Sequence, residues 1–378
     1  MLIATCAASM SPVGVSTVTA DDFQAHCQYL GEAPSGETTW SNTVAGIAND
    51  STHWYLAQHR NLWRVPAHIN LGSVSASTPG VTMRTTFPEL SMGASDTWTF
   101  GDPCVYRHNG IDYLVVRVNV FDSSPFDTIA VFDAQSLFGI SRRLIADRVG
   151  SAVGVDPMGF IYLNRVDSVG NLDKWQVDWD ALQQTGTLQF TFVQNVTLRE
   201  ANDAPIPSLP GGIRALEFTP DGRYLYVLAD DIHVFDGDTL RRRFQSNNAT
   251  TGFFPFNWDT TPSVPPEETP AGLCIWNLNG TGSPHNGQLH VAVRDWDGIA
   301  DSDDVFLKHY TYQINVNASA APGGNGSIAT PYRTITQAAA AAWYGAELRI
   351  RANLYDEAVR IDRHVRLTTF AGVTRIGG

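Results

Sequence analysis

The sequence predicts an all-β fold, a five-bladed β-propeller with six blades as the alternative count, and three observations carry that prediction. Gly212 to Phe244 packs four short apolar-alternating runs into 33 residues, with Pro220-Asp221-Gly222, Asp230-Asp231 and Gly237-Asp238 between them. No length is left for a helix, so the unit reads as an antiparallel four-stranded meander. Such a meander exposes two edges and two faces, and it becomes stable by packing against copies of itself. Echoes of the unit recur along the chain: VFDAQSL at 131–137 repeats VFDGDTL at 234–240, and DPMGFIYL at 156–163 echoes TPDGRYLYV at 219–227.

In chain order, residues 1–39 form an N-terminal segment with one candidate strand around Cys27 to Leu30. The propeller is expected over 40–314. Its first blade takes the runs at 44–48, 53–58, 61–66 and 81–87, and its second those at 102–107, 112–118, 127–133 and 140–145. The third takes 152–157, 159–165, 174–179 and 188–194, and the 212–244 unit is the fourth. Only three runs fill the fifth, at 272–278, 288–294 and 304–312, so its missing strand is assigned to the N-terminal segment. Second strands begin near 53, 112, 159, 223 and 288, a spacing broader than that of the regular propeller repeats, which insertions account for.

Composition narrows the function classes. Twenty-five Lys and Arg against 38 Asp and Glu give a formal charge of −13, which repels a phosphate backbone and argues against nucleic acid as a partner. The 10 Trp, 12 Tyr and 18 Phe supply a core suited to strands, and that composition excludes disorder across the chain. No run reaches the roughly 18 apolar residues of a membrane span. Residues 2–20 lack a basic start and contain Pro12, so the secretory-leader reading is weak, and a truncated or already processed start stands beside it. Cys6, Cys27, Cys104 and Cys274 show no metal-type spacing. Cys6 and Cys27 either close a disulfide loop in an oxidising compartment or stay as thiols, and both readings stand.

RYLYV after TPDG resembles the strand-turn-strand signature of YVTN-type and WD-type propellers. Gly46 to Asp50, Phe100 to Pro103, Gly287 to Val291 and Asp303 to Tyr310 resemble elements of bacterial propeller proteins, a likeness that spans about 40 to 312. It implies the fold and no chemistry.

From Asn315 the texture changes. A Gly-rich linker is expected over 315–330, then an Ala-rich helix at 335–344 and strand runs AELRIRA, EAVRIDR and VRLTTF. PYRTI with the following A-x-x-A, L-x-I, E-x-V-x-I and G-V-T-x-I pattern resembles the opening of right-handed parallel β-helix proteins of the pectate-lyase-like group. That resemblance implies that 331–378 is a truncated β-helix module, either a fragment or a short docking piece. VRLTTFAGVTRI has β-favouring residues and no acidic gatekeeper, so self-association through this edge is expected.

Three sets of residues are candidates for chemistry. Asp295, Asp297, Asp301, Asp303 and Asp304 crowd ten residues around Gly298, the oxygen-rich, tightly wrapped kind of loop that calcium needs. A solvated acidic turn is the alternative, and a melting temperature that chelator leaves unchanged would favour it. Asp50, Asp102, Asp156 and Glu217 stand on or beside the first strands, which line a propeller's channel, while the fifth blade has Ala271 there. This placement resembles that of five-bladed glycosidases and calcium-dependent lactonase propellers, implying acid–base work; Asp at strand ends also caps turns. Phe253, Phe254, Phe256 and Trp258 form an aromatic insertion that either stacks on a ligand or covers the core. None of the ten histidines forms HExxH, and there is no GxSxG elbow.

The reading that follows is a non-enzymatic extracellular or envelope-associated module, presenting propeller loops to a protein or carbohydrate surface. The alternatives are a carbohydrate-active enzyme using the channel carboxylates and a calcium-dependent lactonase or esterase.

Overall fold

The computed structural model describes residues 28–32, 39–41, 43–92, 98–120, 127–145, 149–165, 170–247, 254, 256, 268–279, 281–295, 304–342, 345–362 and 365–377. Strand β1 is Gln28–Glu32. Blade one comprises β2 Val44–Asn49, β3 His53–Gln58, β4 Leu62–Pro66 and β5 Thr82–Arg84. Blade two comprises β6 Trp98–His108, β7 Ile111–Val120, β8 Asp127–Asp133 and β9 Gly139–Ile145. Blade three comprises β10 Val149–Val155, β11 Phe160–Arg165, β12 Asn171–Val177 and β13 Phe190–Thr197. Blade four comprises β14 Ala215–Phe218, β15 Tyr224–Leu228, β16 Ile232–Asp236 and β17 Arg242–Gln245. Blade five contains β18 Glu268–Ile275, β19 Leu289–Asp295 and β20 Asp304–Thr311.

Blades one to four are sequential antiparallel meanders of four strands. The fifth has the order β1-β20-β19-β18, so its outer strand comes from the other end of the chain. β1 runs antiparallel to β20, with Gln28 opposite Thr311 and Glu32 opposite Lys308, whose ammonium donates to the Glu32 carboxylate. Ring closure is therefore a sheet ladder, and both ends of the propeller must be in place before blade five is complete.

Alternation gives each blade two apolar faces, and facing pairs of blades form the core. Tyr55, Phe87, Trp98, Phe100 and Phe132 pack between blades one and two, and Val115, Val131, Ile161 and Trp179 between two and three. Leu172, Leu216, Leu225 and Phe235 join three to four, and Trp54, Leu56, Cys274 and Leu307 join five back to one. A helix at Trp179–Thr185, not anticipated above, interrupts blade three between β12 and β13. Asp178 caps it by accepting from Ala181 N, and Gly186 ends it with φ 67°, a conformation that costs glycine little. Trp179, read above as the end of a strand, starts that helix and tucks into the core.

After the propeller come β21 Gln313–Val316, a helix at Ile335–Ala341, β22 Glu347–Arg351, β23 Leu354–Tyr355, β24 Arg366–Phe370 and β25 Arg375–Ile376. Pairing here is parallel: Gln313 aligns with Glu347 and Glu347 with Arg366, while β23 pairs with β25. The expected linker at 315–330 begins inside β21, and Asn315 N donates to Gly326 O. Thr334 and Gln337 form a reciprocal cap at the helix start. Ile314, Val316, Ile335, Leu348 and Ile350 share one core cluster with Leu273, Val291 and Tyr310, so this segment is built onto blade five.

Candidate functional site

The five inner strands β2, β6, β10, β14 and β18 converge on the channel. Two glycines let them meet. An added Cβ on Gly46 would lie 2.5 Å from Asp102 Cα and 2.6 Å from Pro103 Cδ, and one on Gly272 would lie 2.6 Å from Gly46 Cα. Asp102 fills the gap between these glycines and is 1% exposed. It sits in a β6 bulge between Phe100 and Pro103, the kind of position where a sheet accommodates proline. Its Oδ1 accepts from Ile47 N at 3.2 Å, and its buried Oδ2 has no hydrogen-bond partner.

Burial, reinforced by the Glu217 charge, pushes the Asp102 carboxyl well above the usual range, against the pull of the Ile47 N–H. Glu217 retains some accessible surface, yet inner strands surround it and burial lifts its carboxyl to about 8. Both neighbouring carboxyls are thus shifted toward the protonated form. Cys104 and Cys274 flank the pair as free, buried thiols. Burial and then the nearby carboxylate charges raise both thiols well above their ordinary value, which keeps them unreactive.

Above this seal one channel mouth opens as a funnel of about 320 Å³. Ala45, Gly101 and Ala271 line it, each one residue before Gly46, Asp102 and Gly272, so the carboxyl pair lies beneath its floor. Thr43, Thr99, Ser151, Thr269 and Asn119 give it a polar wall, and Arg214 and Arg294 bring cationic groups, while burial and the Arg60 charge favour the neutral His59 imidazole. Arg214 pairs with Asp230 at 3.6 Å. Burial lowers its pKa, Asp230 opposes that, and the Arg294 charge adds to it.

Of the four carboxylates predicted from sequence, the structure brings together Asp102 and Glu217. Asp50 and Asp156 are corrections to the predicted channel ring, because both cap turns. Asp50 accepts from Thr52 and His53 N–H groups and from Tyr55 OH, the last at 2.7 Å. Burial alone would raise its carboxyl, but donors from His53, Tyr55 and Thr52 outweigh that and hold it well below the usual range. Asp156 does the same in blade three, accepting from Met158 N, Phe160 N and Tyr162 OH, with Lys174 at 3.7 Å.

The aromatic insertion is corrected in part as well. Phe254 and Phe256 are fully buried in the blade-five core, with Phe254 edge-on to Tyr310 at 5.5 Å, so neither presents a face to a ligand. Phe253 and Trp258 lie outside the described residues. So do Asp297, Asp301 and Asp303, together with the side chains of Asp295 and Asp304, whose backbones pair at the base of their hairpin. Among the described residues no group of three His, Cys, Asp or Glu is placed to hold a metal. Sequence reading missed Arg214 and Arg294, which come from different blades.

No family model matches the chain, and no characterised protein matches it in sequence. Among solved structures it is similar to the GH43_1 enzyme from Xanthomonas citri complexed with xylose, at 11% identity and a TM-score of 0.43, covering 83% of this chain and 96% of that one. It is also similar to the Dos1 propeller, at 12% identity and a TM-score of 0.33, covering 70% and 68%. At these scores neither likeness bears on function; the propeller assignment rests on the strand order.

Proposed function

We propose that this chain is a non-enzymatic binding module of an extracellular or envelope-associated protein, with the funnel as its binding site for a polar group on a carbohydrate or protein surface. One observation carries the reading: the carboxyls suited to acid–base work lie beneath the floor, while the described residues lining the funnel include no carboxylate or thiol. A general acid must come within hydrogen-bond reach of its substrate, and Asp102 is walled off by Gly46 and Gly272. The test is incubation with polysaccharides, aryl esters and lactones. No turnover is expected; turnover that Asp102→Asn abolishes would overturn the proposal.

The parallel, in-register pairing of β21, β22 and β24 supports reading 331–378 as the first rungs of a β-helix that serves as a base. β24 is last in its sheet, and Leu367, Phe370, Val373 and Ile376 are exposed around it. A second copy of the chain adding to that edge is the partner this surface fits. Light scattering at tens of micromolar is expected to give a dimer or larger, reduced to monomer by Leu367→Lys with Phe370→Lys. A monomeric wild type sinks the idea.

A further inference from the structure

We propose that the funnel recognises the carboxylate of a small acidic molecule, with Arg214 and Arg294 as the recognising pair. This deepens the binding-module reading and rests on it. Arg214 immediately precedes β14, and Arg294 lies in β19 opposite Thr269 of β18, so two blades each deliver a guanidinium to one cavity. In a chain of net charge −13, two cations share this one open mouth. At Arg214 burial disfavours the cation, Asp230 opposes that, and the nearby Arg294 charge adds to it, so a further carboxylate at the mouth is favourable there.

Asp230 pairs with the Arg214 guanidinium from one side at 3.6 Å, and the buried Arg214 Nε has no hydrogen-bond partner. His59 adds a further nitrogen to the lining. A guanidinium presents its donors as a planar fork that matches a carboxylate in two-point fashion. The volume of about 320 Å³ lies at the small end of ligand pockets, which run from about 300 to 1,000 Å³. Thr99, Asn119 and Thr269 supply hydroxyl and amide groups for the rest of a polar molecule, so a sugar acid is a suitable probe.

Calorimetry of the full chain with glucuronate, and with glucose as the uncharged counterpart, tests the assignment. Glucuronate is expected to bind at least about tenfold more tightly than glucose, the factor that one charge-assisted hydrogen bond supplies. Arg294→Gln and Arg214→Gln are each expected to weaken it by a similar factor, and added salt should weaken it in the wild type. Should either variant fail to fold, the methyl ester of glucuronate on the wild type gives the same answer by removing the charge from the ligand. Equal binding of glucose and glucuronate, or glucuronate binding untouched by Arg294→Gln and by esterification, overturns the carboxylate assignment and leaves the binding module standing. Absence of glucuronate binding up to about 10 mM, weaker than about −2.7 kcal/mol, also overturns it, while the turnover assay judges the module separately.

Discussion

Gly46→Ala is expected to destabilise the propeller by about 3 kcal/mol or more, the upper range for overpacking a closed core. The methyl would meet Asp102 Cα at 2.5 Å and Pro103 Cδ at 2.6 Å, both parts of a strand fixed in the β6–β7 ladder. Retreat is blocked on the far side, because Gly272 already brings its own strand against Gly46 Cα and Ile47 N. Gly272→Ala is expected to do similar damage, and Met158→Ala, at an exposed site, should change stability by less than about 0.5 kcal/mol. Urea unfolding midpoints measure all three. Wild-type midpoints for both glycine variants would mean that the inner strands do not meet as described.

Stability is expected to peak near pH 6.5, between two opposing sets of buried groups. Burial holds His233 and His285 at about 4 and His290 well below its ordinary value, so each binds a proton on unfolding. Their contribution is complete above pH 6.5 and is lost as pH falls from there toward 4. Asp102 and Glu217 act in the other direction: folded, they keep protons that the unfolded chain releases above about pH 4, up to about 8 for Glu217. Their contribution is greatest in acid and is lost as pH rises through that window. Each proton sets a slope of about 1.4 kcal/mol per pH unit. Three histidines outweigh two carboxyls below pH 6.5, and the carboxyls act without that opposition above it.

Asp102→Asn follows from the same linkage. The amide oxygen keeps the Ile47 N–H bond and the amide nitrogen replaces an oxygen without a partner, so one ionisable buried group disappears without a cavity. The variant should gain stability over wild type as pH rises from 5 to 8.5, reaching roughly 1–3 kcal/mol, and change little near pH 5. An equal difference at both pH values would contradict the buried pair.

The blades were legible because strand alternation and turn residues are local. Asp102 was legible too, since it lies within β6, whereas Asp50 and Asp156 stand just past their strands. There a short carboxylate captures turn N–H groups instead of entering the channel. The burial of Phe254 and Phe256 depends on Tyr310 and its neighbours across blade five, which no run of aromatics reveals. The helix at Trp179–Thr185 was readable from Asp178 and Gly186 as caps, but the preceding apolar alternation masked it. Arg214 and Arg294 are separated by one blade boundary and many residues, so only the closed ring places them in one cavity.

Binding of a glycan and small-molecule panel to the wild type and to Thr269→Trp is the most direct measurement. The indole would occupy the funnel that Thr269 lines, leaving the sealed carboxyl pair beneath it untouched. Acidic sugars should bind the wild type and be lost in a folded Thr269→Trp, with no chemical change in the ligand. Ligands retained at full strength by that variant, or recovered as hydrolysis products, would contradict the funnel as the seat of function.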